Sequence, residues 1–361
     1  RNTVNVGWTS ATATDTTVYA AMADGTMVAI DAESGQKIWY YPVNVASSGG
    51  FSLFGNKDAE TGDSALEAVY GDPTVTDMGI LVGAFDGQVY LFDAETGDHS
   101  VIYTADAAVV GGVAYQDGVA YFGSSDDKVY AVDVATGDLV WSEPFESGDI
   151  IWSRPVVDDT RVYVTAMDHH VYALDIATGN IVWQYEAESA FQATPVLYDD
   201  VLYAGCLDKN VYAFDAEMGN LIWEQPVDAW VLGSMVVYDD YVYVATLDGS
   251  VHALSVTDGS ARWEPTALGM DTQSGVVKNE GHLIVATSSG EVWSVDPETG
   301  KKTRLYPDVG EIGETAATGS VLSTPAIVGD RAYVGTTTGY LFALDLSEPG
   351  STELWLCSAA D

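Results

Sequence analysis

The chain has 361 residues, 47% of them apolar, and carries 54 Asp and Glu against 13 Lys and Arg, a formal net charge of −41. So few cations cannot assemble a basic patch, which excludes nucleic acid and anionic lipid surfaces as partners, and no apolar run reaches the ~18 residues of a membrane-spanning helix. Only Cys206 and Cys357 occur, far apart and in no metal or haem spacing, so neither a disulfide framework nor a zinc site is expected.

Residues 1–6, RNTVNV, hold no signal-peptide core, so any leader or lipid anchor lies upstream of this numbering. From there a short apolar strand closed by an acidic turn keeps returning. Its Asp falls at 31, 93, 133, 175, 215, 296 and 345, with Ser255 in the remaining copy, so eight copies fill the chain at a period of about 40 residues. A Gly follows four positions on in seven copies (Gly35, Gly97, Gly137, Gly179, Gly219, Gly259, Gly300). Trp39, Trp141, Trp183, Trp223 and Trp263 follow eight on, and Trp355 ten on; Val101 and Arg304 stand where the second and seventh copies lack the indole.

Within one period four β-strands are predicted. In the fourth copy they are SRPVVDD, RVYVTAM, HVYALD and NIVWQYE, rich in the β-branched and aromatic residues that suit a half-buried pleat. The joint between second and third strands is Asp24-Gly25, Asp86-Gly87 or Asp248-Gly249 in three copies. Such a dipeptide signals a hairpin with positive φ at both turn residues. The joint between third and fourth strands is D-x-x-T-G or close to it, with Asp and Thr bonding turn amides and Gly left-handed. Extra chain enters at about 42–72, including GGFSLFG at 49–55, and at about 305–321. DAETGD at 58–63 has no strand before it and is not a ninth copy. Four antiparallel strands per period predict an all-β fold, a single-domain eight-bladed β-propeller over 1–361. Its ring closes by packing the last blade on the first without an exchanged strand.

The motif V-Y-A-L-D-x-x-T-G-x-x-x-W, as at 171–183, resembles the pyrroloquinoline quinone (PQQ) repeat, found both in quinoprotein dehydrogenases and in non-enzymatic BamB-type propellers. The resemblance covers essentially the whole chain and implies that the Trp packs between blades beside the third-strand Ala, as Trp183 with Ala173 and Trp223 with Ala213. The dehydrogenases carry adjacent cysteines and a Glu-Asn-Asp calcium set. Neither maps onto this sequence, so no cofactor and no catalysis are expected. The acidic, Lys-poor surface looks like that of extreme halophiles.

Loops joining second to third strands and loops joining one blade to the next share one face, and every irregular stretch falls there. At the channel mouth on that face Trp8, Tyr70, Trp152, Gln192, Leu232 and Leu322 occupy equivalent strand starts, with Asp72 and Arg154 two residues further on. Arg154 could grip a carboxylate or phosphate, although a structural pair with Asp72 or a neighbouring loop acid is the plainer expectation; Trp8 and Trp152 read first as packing residues. His169 and His170 replace one turn and are expected to be solvated rather than metal ligands; no metal site is expected. The sequence thus describes a non-catalytic binding or scaffolding propeller. By resemblance it is exported to the cell surface, meeting a protein or envelope component through its loop-rich face. The alternatives are a PQQ-dependent or other redox enzyme and a sugar or small-ligand binder. Oligomeric state is left open.

Overall fold

The computed structural model describes residues 8–41, 66–306, 319–347 and 353–358, so most of both expected extra stretches, with GGFSLFG and DAETGD, lies outside the described residues. Among the described residues all strands fall into eight four-stranded antiparallel sheets, each built from four consecutive strands. The chain is a β-propeller of eight blades. Blade 4 is typical, with strands Val156–Val157, Arg161–Thr165, His170–Asp175 and Ile181–Glu186 running from the hub outward. Among the described residues no helix is long and apolar enough to cross a membrane.

The core is divided into eight slabs, each between two successive blades. Val162, Val164 and Leu174 of blade 4 pack with Tyr121, Ala131 and Trp141 of blade 3. On its other face Tyr163, Val171 and Ala173 pack with Leu202, Ala204 and Phe214 of blade 5. The period of two in a strand makes this possible, because alternate side chains of the second and third strands serve opposite interfaces and both are apolar. The last slab joins Ala11, Val18 and Val28 of blade 1 to Tyr333, Leu341 and Cys357 of blade 8, and every sheet keeps its own four strands, so no strand is exchanged at closure.

The repeated Trp and Gly form one joint. The Nε1 of Trp183 donates to the Ala216 carbonyl of the next blade at 2.9 Å, and Trp39, Trp141, Trp223, Trp263 and Trp355 make the equivalent bond to Ala94, Ile176, Val256, Pro297 and Ala32. Each indole lies on the motif Gly of the following blade. A Cβ added at Gly219 would sit 2.6 Å from Trp183 Cδ2, and one at Gly97 would sit 2.7 Å from Trp39 Cδ2. The Gly therefore supplies close approach between blades as well as its left-handed φ of 72° at Gly219. Where blade 2 has Val101 in place of Trp, Gly137 of blade 3 faces the Ile102 carbonyl instead. As the resemblance implies, Trp183 and Trp223 sit opposite Ala173 and Ala213 on the third strand.

Two local expectations need correction. Positive φ at both turn residues occurs at the joint of first and second strands, at Asp199-Asp200 and Asp239-Asp240, not at the second-to-third joint. At the latter Gly25 N bonds the Met22 carbonyl, Gly25 alone is left-handed, and the Asp24 carboxylate takes the Thr26 amide at 3.0 Å. This is a β-turn followed by a left-handed residue, which the Asp side chain closes from outside. The fourth strands of blades 3 and 6 shrink to Phe145–Glu146 and Thr266–Ala267, because Pro144 and Pro265 remove a donor just after Trp141 and Trp263.

The motif Asp works as a turn lock. Asp93 accepts the amides of Glu95 and Thr96 and the Thr96 hydroxyl, and those bonds hold its carboxyl below the usual range, as the Ser34 hydroxyl and amide do for Asp31. Burial works against the lowering at Asp296, whose carboxyl is nonetheless held low by Thr299. A depressed native pKa adds stability that is full above the unfolded value and lost as pH falls through the folded one. Denaturant midpoints are therefore expected to hold down to about pH 4 and fall below it. A triple Asp31→Asn, Asp93→Asn, Asp296→Asn variant should flatten that acid limb, and an unchanged limb would remove the locks from the account.

Candidate functional site

At the hub three residues lead into the first strand of seven blades, and in blade 1 the equivalent residues 8–10 already belong to the strand. The first of the three forms a ring: Tyr70, Val110, Trp152, Gln192, Leu232, Gln273 and Leu322. The second is Gly, Ala or Ser, and the third includes Asp72, Arg154, Thr194, Ser234 and Thr324. Small residues are needed in the middle because neighbouring lead-ins touch backbone to backbone; a Cβ on Gly71 would lie 2.5 Å from the Gly111 carbonyl oxygen, and one on Gly111 2.5 Å from that of Ser153. Pro follows Asp72, Arg154, Thr194 and Thr324, which restricts each to an extended backbone. The Arg154 amide is further tied to Thr194 Oγ1 of the next blade at 3.2 Å.

These residues enclose a cavity of about 1170 Å3 that opens on the face of the second-to-third turns, represented in its wall by Ala23, Phe85, Ser125 and Thr337. Of the residues proposed from sequence, Tyr70, Asp72, Trp152, Arg154, Gln192, Leu232 and Leu322 all line it. Trp8 stands by its backbone at the equivalent start of blade 1, with its side chain outside the described residues. Val110, Gln273, Thr194, Ser234 and Thr324 were missed. The signal that finds the first two is an offset of ten residues before the first buried residue of the second strand, from Val110 to Ala120 and from Gln273 to Leu283.

His169 and His170 do not reach the cavity. His169 is the left-handed turn residue with φ 75°, the position held by Gly25 and Gly87 in other blades. His170 stacks on Tyr172 and keeps its Nδ1 2.9 Å from the Asp168 carbonyl. The acids at the second-to-third turns serve those turns too, since Asp86, Asp126 and Asp208 each accept the hydroxyl of a Tyr four residues on, at 2.7 Å. Among the described residues no group of three His, Cys, Asp or Glu is placed to hold an ion.

Among the described residues, charge in the cavity is confined to two groups. Asp72 is in contact with solvent yet ringed by protein, and desolvation pushes its carboxyl up to about 6 while Arg154 pulls it the other way. Desolvation likewise lowers Arg154, against the attraction of Asp72. They sense each other's field, but no nitrogen of Arg154 comes within the 4.0 Å of an ion pair, so the plain pairing read from sequence is not formed. A second, smaller cavity of about 250 Å3 between the first strands of blades 3 and 4 also reaches Arg154 and Thr194. The quinone set of the dehydrogenases does not fit this hub. Among the described residues its wall offers a single carboxylate, and Cys206 is buried within the slab between blades 4 and 5, its thiol pushed up to about 12 by burial and its Sγ against the Ser189 and Ala190 carbonyls.

The family model described as outer membrane protein assembly factor BamB matches residues 3–100, 86–211 and 189–356. Proteins of that name from Francisella salina and Burkholderia pseudomallei (strain K96243) are 24% identical over 127 residues and 27% identical over 150, each match covering 35% of this chain. The matches span 22% and 39% of those relatives, well short of their full length. Among solved structures, the computationally designed Ika8 protein superposes with a TM-score of 0.75 at 16% identity, covering 98% of this chain and 96% of the other. BamB from Moraxella catarrhalis does so with 0.71 at 18%, covering 92% of each. At such identities the superpositions speak for the fold alone, whereas the family model runs through nearly every blade: the chain belongs to the BamB family of outer membrane protein assembly factors.

Proposed function

We propose that the chain is a single-domain, non-catalytic scaffold of the cell envelope that holds a protein partner against the face on which the hub opens. The observation that carries this is apolar surface left uncovered around that mouth. Tyr70, Phe85, Trp230, Met270 and Leu322 are each about half exposed, at 49, 50, 47, 47 and 44%, and Tyr70 and Phe85 meet edge to face at 6.0 Å. Other large apolar side chains are exposed too, chiefly on outer strands, such as Ile181, Val182, Leu221 and Ile222. Of the exposed aromatic rings among the described residues, however, Tyr70, Phe85 and Trp230 stand on this face and only Tyr198 elsewhere, and aromatic residues are enriched at the anchoring positions of docking surfaces. Relatives named for outer membrane protein assembly support an envelope partner, and the proposal places the chain outside the cytoplasm, at the cell surface.

The test is site-specific photo-crosslinking in the native cell. A crosslinker at position 230 is expected to capture one protein in near-stoichiometric yield, and one at Val182, on the outer edge of blade 4, is not. Trp230→Asp with Met270→Asp should abolish capture from a crosslinker at position 85 while leaving the melting temperature unchanged. Equal capture from 182 and 230, or capture that survives both substitutions, sinks the proposal.

A further inference from the structure

We infer that the hub mouth is a carboxylate-binding site, in which the Arg154 guanidinium takes the carboxylate in a two-point hydrogen bond beside the indole of Trp152. Every other described arginine has a side-chain partner. Arg161 donates to Thr160 Oγ1 and the Glu217 carbonyl, Arg262 to the Tyr243 hydroxyl, Arg304 to Glu291, and Arg331 to the Ala32 carbonyl. Arg154 bonds no described residue through its guanidinium, although its backbone is held on both sides by Thr194 and Pro155. A guanidinium fork carried on a fixed backbone at a cavity wall, and bonded to no described residue, matches a planar oxyanion. Trp152 Nε1 is itself buried and without an acceptor, so the indole offers the cavity its ring rather than a free donor.

The surroundings choose among anions. Among the described residues the cavity wall holds one acid, Asp72, in a chain with 54, so the repulsion that covers the rest of the described surface is relaxed at this point. Those residues also hold one cation, enough for a monoanionic carboxylate and too little for a phosphate dianion beside Asp72. Tyr70 and Trp152 line the same cavity with flat apolar surface, and Gln192, Gln273 and Thr194 offer neutral hydrogen bonds, which favours a carboxylate on a planar or apolar body. The titratable groups facing the site from the described residues are Asp72 and Tyr70 of blade 2 and Arg154 of blade 4. Because Asp72 is neutral below about 6, the hub gains net positive charge there, and a carboxylate binds more tightly at pH 5 than at pH 7.5. This site does not depend on a docked protein: the carboxylate can come from a free small molecule or from the C-terminus of a chain lying across the mouth.

Benzoate titrated into the intact chain at molar KCl, followed by tryptophan fluorescence and saturation-transfer NMR, is expected to bind saturably in the millimolar range. Benzamide, its neutral isostere, should bind about tenfold more weakly. A short peptide with a free C-terminal carboxylate, set against its C-amidated twin, separates the sources: the tighter of the two carboxylates names the class of natural ligand. Arg154→Gln should lose the preference for acid over amide, Arg154→Lys should keep only part of it, and Asp72→Asn should remove the pH dependence with the site intact. Failure of both carboxylates to bind saturably, equal binding of acid and amide in both pairs, or an unaltered preference in Arg154→Gln overturns the assignment. Partner capture by position 230 is read separately, so either result can fail alone.

Discussion

Trp183→Ala is expected to lower the unfolding free energy by about 3–5 kcal/mol, the cost of removing a large buried aromatic from a packed interface. The indole is 8% exposed, tilts against Tyr163 and Phe214 at 6.1 and 6.0 Å, and carries the hydrogen bond to the Ala216 carbonyl. That carbonyl keeps the Tyr163 hydroxyl at 3.2 Å, so the loss comes chiefly from the cavity rather than from an orphaned acceptor. The partner Gly permits a sharper test. Gly219 and Gly118 are both left-handed, with φ of 72° and 84°, but a Cβ on Gly118 meets nothing within 4 Å, while one on Gly219 strikes the Trp183 ring at 2.6 Å. Gly118→Ala should therefore cost only the backbone strain, about 1–2 kcal/mol. Gly219→Ala should cost that plus an overpacking penalty of about 1–3 kcal/mol. In the double variant Trp183→Ala, Gly219→Ala the clash has no ring to meet, so the two losses should add to less than their sum. Urea unfolding at molar KCl reads all four variants. Strict additivity would mean that the recurring Trp and Gly are two independent features rather than one joint.

That joint shows what could be read from the sequence and what could not. The period, the four strands and the number of blades follow from residues repeated at fixed offsets, because each blade must bury the same two faces. The packing of Trp183 on Gly219 could not be read, since the pair lies 36 residues apart in neighbouring blades and each residue has a sufficient local explanation, the Gly as a turn and the Trp as core. The hub ring was half legible. Tyr70, Trp152 and Arg154 stand out by type at an equivalent register, whereas Val110 and Thr194 are ordinary residues that gain their place only from the offset. His169 and His170 were conspicuous by chemistry, yet their position demands a left-handed residue and a turn lock, which leaves their rings outside the cavity.

Moving the chain from molar KCl to about 0.1 M salt is expected to destabilise it by several kcal/mol, through unscreened repulsion among its acids. The Debye length grows from about 3 Å to about 10 Å over that change, so carboxylates on neighbouring turns begin to sense one another. Attraction cannot offset this. The described residues form five ion pairs, two of them through His, in a chain of 54 acids, and the Asp106 side chain of the pair with Lys128 is 81% exposed. A loss of about 5 kcal/mol corresponds to a fall in Tm of roughly 10 °C or somewhat less for a protein of this size. Salt can also stabilise by exclusion from protein surface, and the two causes are separable by charge. Asp117, Asp199, Asp200 and Asp240 are exposed turn residues with positive φ, a conformation that Asn tolerates as well as Asp does. Replacing all four by Asn takes the net charge from −41 to −37 with the backbone unchanged. If repulsion is the cause, the variant loses measurably less Tm than the parent between 3 M and 0.1 M KCl, and the two converge at high salt. Parallel curves would assign the salt response to solvent exclusion, and a Tm indifferent to salt would show that the charge is carried without strain.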